Sequence, residues 1–493
     1  MRKPGGRVLV LVGLLVFGAA LSPAAEKLRP DVQKALESIR PDEAYAINKT
    51  LASPKFAGRL TGSEGYTAAA KWAAGRFKDW GLQPISRETG YLQPYPSPYV
   101  LVDKAEMSFL IPEKKEGASE PATKEIKLQP EKEFLPLLFS DSGSHTAEIV
   151  FAGWGISAPD LGYDDYAGLD VKGKFVLCFR GTPDGADRRF ENHDQHRVRM
   201  KTAKDRGALG IIYIYDEIAS NPNGDWIEGF TPAEISYKAA DLVLKEKSTT
   251  AADLRKILTD FKRPLSFPLR AKASLTVASR NFPEGIGYNV AGWVAGTDPK
   301  LKTECLVIGG HFDHNGLHMG LLFPGADDNA SGSAAVMEIA EAFTKLAPKP
   351  KRSVMFVLFG GEEKGLQGSE YFAGHLPEGF DKVDTMFNFD MVGEGDHSGI
   401  GFSAGSPDLR ALVEEADRYV HTLAGSYPIR AVGVRGSDHA PFFQRGVPVV
   451  SFHSNGPHLF YHQTGDTIYR INPDMIADAA RLAFLAAWKR ADR

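Results

Sequence analysis

From Tyr288 onward, short apolar runs alternate with helical stretches, and that alternation restricts the fold more than any other feature of the chain. Residues 289–294, 305–310, 353–359, 385–390 and 447–452 predict strands, and residues 331–346, 409–420 and 473–489 predict helices from apolar side chains three and four apart. Strands that read as continuous apolar runs are covered on both faces. The order therefore predicts an α/β domain with a mostly parallel sheet flanked by helices.

The rest of the chain has a different texture. Residues 26–82 read as helical, with Ala, Trp and Phe at helical spacing over 66–80 and Gly81 at the stop. Residues 112–133 are rich in Lys, Glu and Pro and read as a solvated loop or hairpin tip. Between 134 and 276 come short strands and turns, at 148–153, 174–177 and 208–215, with a helix near 197–206. His193 and His196 lie three apart near that helix, and the simpler reading is an exposed polar helix start. With 493 residues the chain has room for two or three domains of about 150 residues. The expected division is 1–24 as a signal peptide, 25–133 as a helical part plus the charged loop, 134–280 as a β-rich α+β domain, and 281–493 as the main α/β domain.

Charge narrows the partners. Lys+Arg 58 against Asp+Glu 62 leaves a net charge of -4, so there is no basic excess to neutralise phosphates, and nucleic acid is not an expected partner. Arg2, Lys3 and Arg7 precede an uncharged apolar run over 8–21, and small residues near Ala24 and Ala25 follow. That is the pattern of a cleaved export signal, so a secreted or periplasmic protein with no stable membrane span is expected. Cys178 and Cys305 each sit in an apolar run and read as buried strand cysteines. Two cysteines cannot make a thiolate zinc site.

The chemistry gathers at strand ends, where ligands bind in open α/β sheets. The second predicted strand runs into His311 and Asp313, the third into Glu362 and Glu363, and the fourth ends at Asp390. The last is followed by Tyr461 and His462, and the pair Asp327-Asp328 stands in a Gly-rich loop before a helix. Imidazole and carboxylate without thiolate suit zinc, or cobalt or manganese. Two histidines and several acids exceed the needs of one catalytic zinc and fit two metals about 3.5–4 Å apart that share a carboxylate. A further, non-ligating carboxylate is then needed to move the proton, and adjacent Glu362 and Glu363 can divide these tasks.

His311-Phe312-Asp313, the run 325–332, the run 361–369, Asn388-Phe389-Asp390-Met391 and Tyr461-His462 together resemble the motifs of metallopeptidase family 28, the co-catalytic zinc aminopeptidases. The likeness covers about residues 284–493 and the helical segment before residue 100. The middle segment resembles a protease-associated domain through its strands near 172–180 and 207–216. The resemblance implies a phosphorylase/hydrolase-like zinc peptidase fold, two Zn2+ per chain and peptide substrates. It also implies that 25–133 belongs with the last domain and that 134–280 is inserted into it. It implies that His311 and Asp390 hold one zinc, Glu363 and His462 the other, and that Asp327 bridges both. Glu362 becomes the general base, Asp313 orients His311, Tyr461 donates to the oxyanion, and a cis bond joins Asp327 to Asp328. Many relatives carry an Arg immediately before the Ser437-Asp438-His439 triplet, where this chain has Gly436, with Arg435 one position earlier.

The implied activity is an exported aminopeptidase. The alternative is a glutamate carboxypeptidase-type enzyme with the same metals, which needs a basic pocket, and only Arg430 and Arg435 stand near the motifs in sequence. A glutaminyl cyclase relative would bind one zinc, and the complete ligand set argues against it. A non-catalytic receptor would be expected to lack ligands or the base, and none is missing. The preferred N-terminal residue, the native metal, the oligomeric state and the role of the inserted domain are left open by the sequence.

Overall fold

The computed structural model describes residues 27–113, 122–185, 188–423 and 436–493. The signal-peptide reading of residues 1–24 lies outside them. Two eight-stranded sheets organise the chain. In the first, Ser353–Phe359, Glu304–His311, Lys382–Phe389 and Val449–Ser454 are neighbours and run parallel. The parallel order expected from the sequence holds for these four central strands. Antiparallel strands close both sides: Ile286–Val294, with Gln83–Pro84 and Leu92–Pro96 beyond it, and Ile400–Ala404 at the other edge. The edge strands at 83–84, 92–96 and 400–404 carry weak sequence signals because they are short or half exposed.

The central strands alternate their side chains between two apolar layers, as a pleated strand must. Leu306, Ile308, Val354, Phe356 and Phe387 face the layer that holds the helices Glu64–Asp79, Gly332–Thr344 and Pro473–Ala491. Cys305, Val307, Met355, Val357 and Met386 face Phe372 and Phe442 on the short helices Gln367–Gly374 and His439–Gln444. The helix Gly332–Thr344 is buried on nearly every side, and its small residues let it sit between the sheet and the C-terminal helix. Each fully buried Leu, Ile or Phe here contributes about 1.5–3 kcal/mol.

The second sheet runs Ala122–Lys127, Tyr99–Glu113, Ser266–Phe282, Gly143–Ala152, Phe175–Phe179, Gly210–Tyr215, Ala233–Ser236, Phe134–Pro136. It begins at Tyr99, so the boundary expected near residue 134 moves back by one long hairpin. The arm Tyr99–Glu113 pairs with Ala122–Lys127 up to Glu113 opposite Ala122, so the charged stretch is strand at 112–113 and 122–127, while residues 114–121, the expected hairpin tip, lie outside the described residues. Composition hid this arm because its outer face is charged. The unit enters and leaves through adjacent strands whose Tyr99 and Phe282 rings stack at 4.5 Å. Both cysteines are buried and free, Cys178 in the second sheet and Cys305 in the first. Among the described residues no helix is long and apolar enough to cross a membrane.

One carboxylate inside the helical layer gives this half of the molecule a pH signature. Glu338 is buried, accepts the Arg40 backbone N–H at 3.0 Å, and leaves its other oxygen without a partner. Burial pushes its carboxyl up from 4.5 to about 7. The folded state therefore holds a proton that the unfolded chain releases above its ordinary value, so this contribution is full below about pH 4 and is lost as pH rises through 7. Its ceiling is about 3 kcal/mol. Glu338→Gln keeps the acceptor and removes the titration. Denaturant unfolding at pH 5 and pH 8 should show the wild type losing more stability than Glu338→Gln across that interval, and parallel losses would contradict the assignment.

Candidate metal centre

The carboxyl ends of the four parallel strands lie level: His311 pairs in register with Phe359, Gly309 with Asn388 and Phe389 with Phe452. His311, Asp390, and Glu362 with Glu363 therefore leave the sheet on one rim. The loop before the helix Gly332–Thr344 reaches the same rim and is held from three sides. Arg59, fully buried, donates from Nε to the Phe312 carbonyl at 2.6 Å, from Nη1 to Pro324 at 2.8 Å and from Nη2 to Gly325 at 2.8 Å. Asn48 Nδ2 donates to the Ala326 carbonyl at 2.9 Å. Asp466 accepts the backbone N–H groups of Asp327 at 2.8 Å and Asp328 at 3.0 Å. Gly325 has φ 57°, and a Cβ there would stand 2.2 Å from the Asp328 carbonyl oxygen and 2.4 Å from the His314 ring. Only glycine fits that approach.

The turn sends its two aspartates in opposite directions, and this corrects the sequence reading. Asp328, not Asp327, faces the histidines: its Oδ1 is 3.3 Å from His311 Nε2 and its Oδ2 is 3.1 Å from His462 Nε2. Asp327 turns away, accepting the N–H groups of Gly393 and Glu394 at 2.9 Å each and meeting His458 Nδ1 at 2.5 Å. The cis bond likewise falls between Asp328 and Asn329, one step later than expected. Neighbouring residues in a turn project to different sides, so a sequence pair alone does not say which one reaches the site.

The other expected residues gather around Asp328. His311 Nε2 is 3.4 Å from Asp390 Oδ1, and His462 Nε2 is 2.9 Å from Glu363 Oε2. Ligand atoms of His311, Asp328 and Glu363 lie within 4.8 Å of one another. His311 Nδ1 lies 3.3 Å from the Asp313 carbonyl oxygen, closer than the Asp313 carboxylate at 3.8 Å. That carboxylate instead accepts the Glu362 N–H at 3.2 Å, so Asp313 holds both the histidine and the adjacent glutamate strand end. Tyr461 stacks on His462 with ring centroids 3.8 Å apart and is 49% exposed on the cleft side.

Electrostatics shows what the cluster is built to hold. Burial opposes a proton on His311, yet Glu362, Asp390 and Asp328 outweigh it and hold the ring well above its ordinary value. His462 behaves alike, with burial overcome by Glu363 and Asp328. Burial works against charge on Glu363 too, but His462 and His314 hold its carboxyl down at about 2. Buried carboxylates need a compensating cation. With two imidazoles and three carboxylates converging and no thiolate, the donor set suits zinc, with its imidazole nitrogen and carboxylate oxygen ligands.

Several contributors carried no sequence signal. His314 is buried and its Nδ1 meets Glu363 Oε1 at 2.6 Å. Arg59 stands 252 residues before His311 in neither motif nor charge run. His196, read as an exposed helix start, is buried, with its Nε2 3.3 Å from Asn221 Nδ2. It lies in a cleft of about 620 Å³ that joins the second sheet to Glu362, Glu363, Tyr461 and His462. Arg180 and Arg197, far from the motifs in sequence, also line that cleft. Arg430 and Arg435 lie outside the described residues.

Known proteins resemble this chain in sequence and in fold. Residues 289–487 match the model of Peptidase family M28. They form a family M28 peptidase domain. Over 392 residues the chain is 26% identical to aminopeptidase YwaD of Bacillus subtilis strain 168, covering 77% of this chain and 74% of that protein. A shorter stretch of 165 residues is 34% identical to leupeptin-inactivating enzyme 1 of Streptomyces exfoliatus, covering 33% of this chain and 35% of that one. The solved aminopeptidase of Aneurinibacillus sp. strain AM-1 superposes with a TM-score of 0.66 at 22% identity, over 94% of this chain and 96% of its own. That likeness extends the shared fold through both sheets, around the M28 domain and the inserted unit alike.

The divergence of the two aspartates is testable by metal titration. Asp328→Asn should weaken zinc binding at least tenfold in chelator competition, whereas Asp327→Asn, whose amide oxygen still accepts from Gly393 and Glu394, should stay within threefold of wild type. The reverse order would return the central role to Asp327.

Proposed function

We propose that the protein is an exported two-zinc aminopeptidase that hydrolyses the N-terminal peptide bond of peptides. The observation that carries this is the convergence of His311, Asp390, Asp328, Glu363 and His462, with Glu362 lining the same cleft. In this reading His311 and Asp390 would hold one zinc and His462 and Glu363 the other, with Asp328, which faces both histidines, available to either. Two zinc ions held there would supply Lewis-acid polarisation of water and of a scissile carbonyl.

The protein groups do the rest. Partial burial, with the charges of Glu363 and Asp390, pushes the Glu362 carboxyl well above its ordinary value against the pull of His311. A carboxylate so placed takes a proton from water and returns it to the leaving amine. Its backbone N–H, tied to Asp313, fixes where it stands. Crowding in the cleft and then the charges of Asp328 and Glu363 keep the Tyr461 phenol protonated, ready to donate to a developing oxyanion. The acidic rim favours a free α-ammonium group over a blocked one. The basic residues and apolar run at the N-terminus support export, and the inserted sheet takes the role of a protease-associated domain that walls the cleft.

One observation favours a second reading. Among the described residues Arg197 reaches the cleft with only loose partners, Asn223 at 3.5 Å and Asp225 at 3.7 Å, and Arg180 lines the same cleft. A guanidinium in that place suits a substrate carboxylate, as a glutamate carboxypeptidase-type enzyme requires.

A leucyl anilide and its N-acetylated twin, assayed at neutral pH with added zinc, separate the two. Cleavage of the unblocked compound alone is expected. Cleavage of neither, with zinc bound, would favour release of a C-terminal glutamate, checked on a peptide panel. Glu362→Gln should keep zinc and lower kcat by at least 100-fold, the usual scale for losing a general base. Turnover within tenfold of wild type would remove Glu362 from that role.

A further inference from the structure

The inserted sheet touches the metal centre at His462. Ser220 lies between the strands Gly210–Tyr215 and Ala233–Ser236 of that sheet. Its carbonyl oxygen is 2.9 Å from His462 Nδ1, while its own N–H and Oγ donate to the His462 carbonyl at 2.8 and 2.9 Å. A carbonyl has no proton to give, so the shared proton belongs to Nδ1. The ring lone pair then falls on Nε2, the atom that faces Asp328 and Glu363. A hydrogen bond on the far nitrogen sets both tautomer and direction of a ligating histidine.

Ser220 is itself built in. It is 1% exposed, and Asn315 Nδ2 of the M28 domain donates to its Oγ at 2.8 Å. On the other side, Glu234 of the inserted sheet, also 1% exposed, accepts the Ala219 N–H at 3.0 Å. The Ala219–Ser220 segment is thus gripped on both flanks of the carbonyl it presents. Two residues past His462, Thr464 donates its N–H to Glu131 of the same inserted unit at 3.1 Å. These bonds join units that are far apart in sequence.

We infer that the inserted unit completes the metal centre: Ser220, held by Glu234 and Asn315, is a positioning residue that fixes the tautomer and aim of His462. The inference rests on the two-zinc reading above. It gives the inserted unit a direct part in metal binding besides walling the cleft. It also predicts that the two zinc positions differ in their dependence on that unit, because His311 takes its corresponding support from Asp313 of its own domain.

The test is chelator competition on the full-length protein, resolving two zinc affinities for wild type, Ser220→Ala, Ser220→Gly and Ser220→Thr, each first shown folded by its thermal melt. Ser220→Ala removes the hydroxyl grip, and Ser220→Gly also loosens the backbone that presents the carbonyl. Ser220→Gly should weaken one zinc at least tenfold and leave the other within threefold, Ser220→Ala should fall between, and Ser220→Thr should restore most of the affinity. Two unchanged affinities in Ser220→Gly, or an equal loss of both, would overturn the inference and leave the aminopeptidase reading standing. A wild type that binds fewer than two zincs would overturn that reading and this inference together.

Discussion

Carboxylates packed together away from water must be compensated, and the arrangement of the M28 domain follows from meeting that demand. Asp328, Glu363 and Asp390 converge with two histidines at the end of a parallel sheet. Around them stand Asp313 and Asp438, whose carboxyls burial pushes up to about 6 and about 7. Imidazoles offset part of this charge, and a divalent cation held there would offset it further. The same demand explains why Arg59 is buried nearby. Its proton is opposed by burial, which lowers it to about 10, but Asp466 and Asp313 favour the charge and carbonyl oxygens accept its hydrogen bonds.

The scaffold turns this demand into fixed positions. Parallel strands in register bring three ligand-bearing chain ends to one rim. The fourth contribution, Asp328, comes from a loop that has no strand to hold it, so Arg59, Asn48 and Asp466 hold it instead. Arg59 comes from the N-terminal helical segment, outside the matched residues 289–487, which shows why that segment belongs with the M28 domain. The fifth, His462, lies past the last parallel strand and takes its support from Ser220 of the other sheet.

Much of this was legible from residue patterns. The five apolar runs found the central sheet because strands covered on both faces carry uninterrupted apolar side chains. The acids and histidines at their ends found His311, Glu362, Glu363, Asp390 and His462 because open α/β sheets place ligands there. The short edge strands were not legible, since half-exposed strands carry mixed side chains. The long arm Tyr99–Glu113 was missed because its partner Ser266–Phe282 lies far along the chain and nothing local marks the pairing. The choice between Asp327 and Asp328 was not legible either, because it depends on which way a turn held by Asp466 and Arg59 points each side chain.

The sequence by itself determined the α/β class, the family to which residues 289–487 belong and most of the residues around the metal position, because those depend on local periodicity and short motifs. Only the tertiary structure decided that Asp328 faces the histidines, that Arg59 and His314 support the site, that Arg180 and Arg197 reach the cleft, and that Ser220 orients His462. Each of those is a contact between segments distant in the chain, and its geometry is set by packing rather than by any pattern along the backbone.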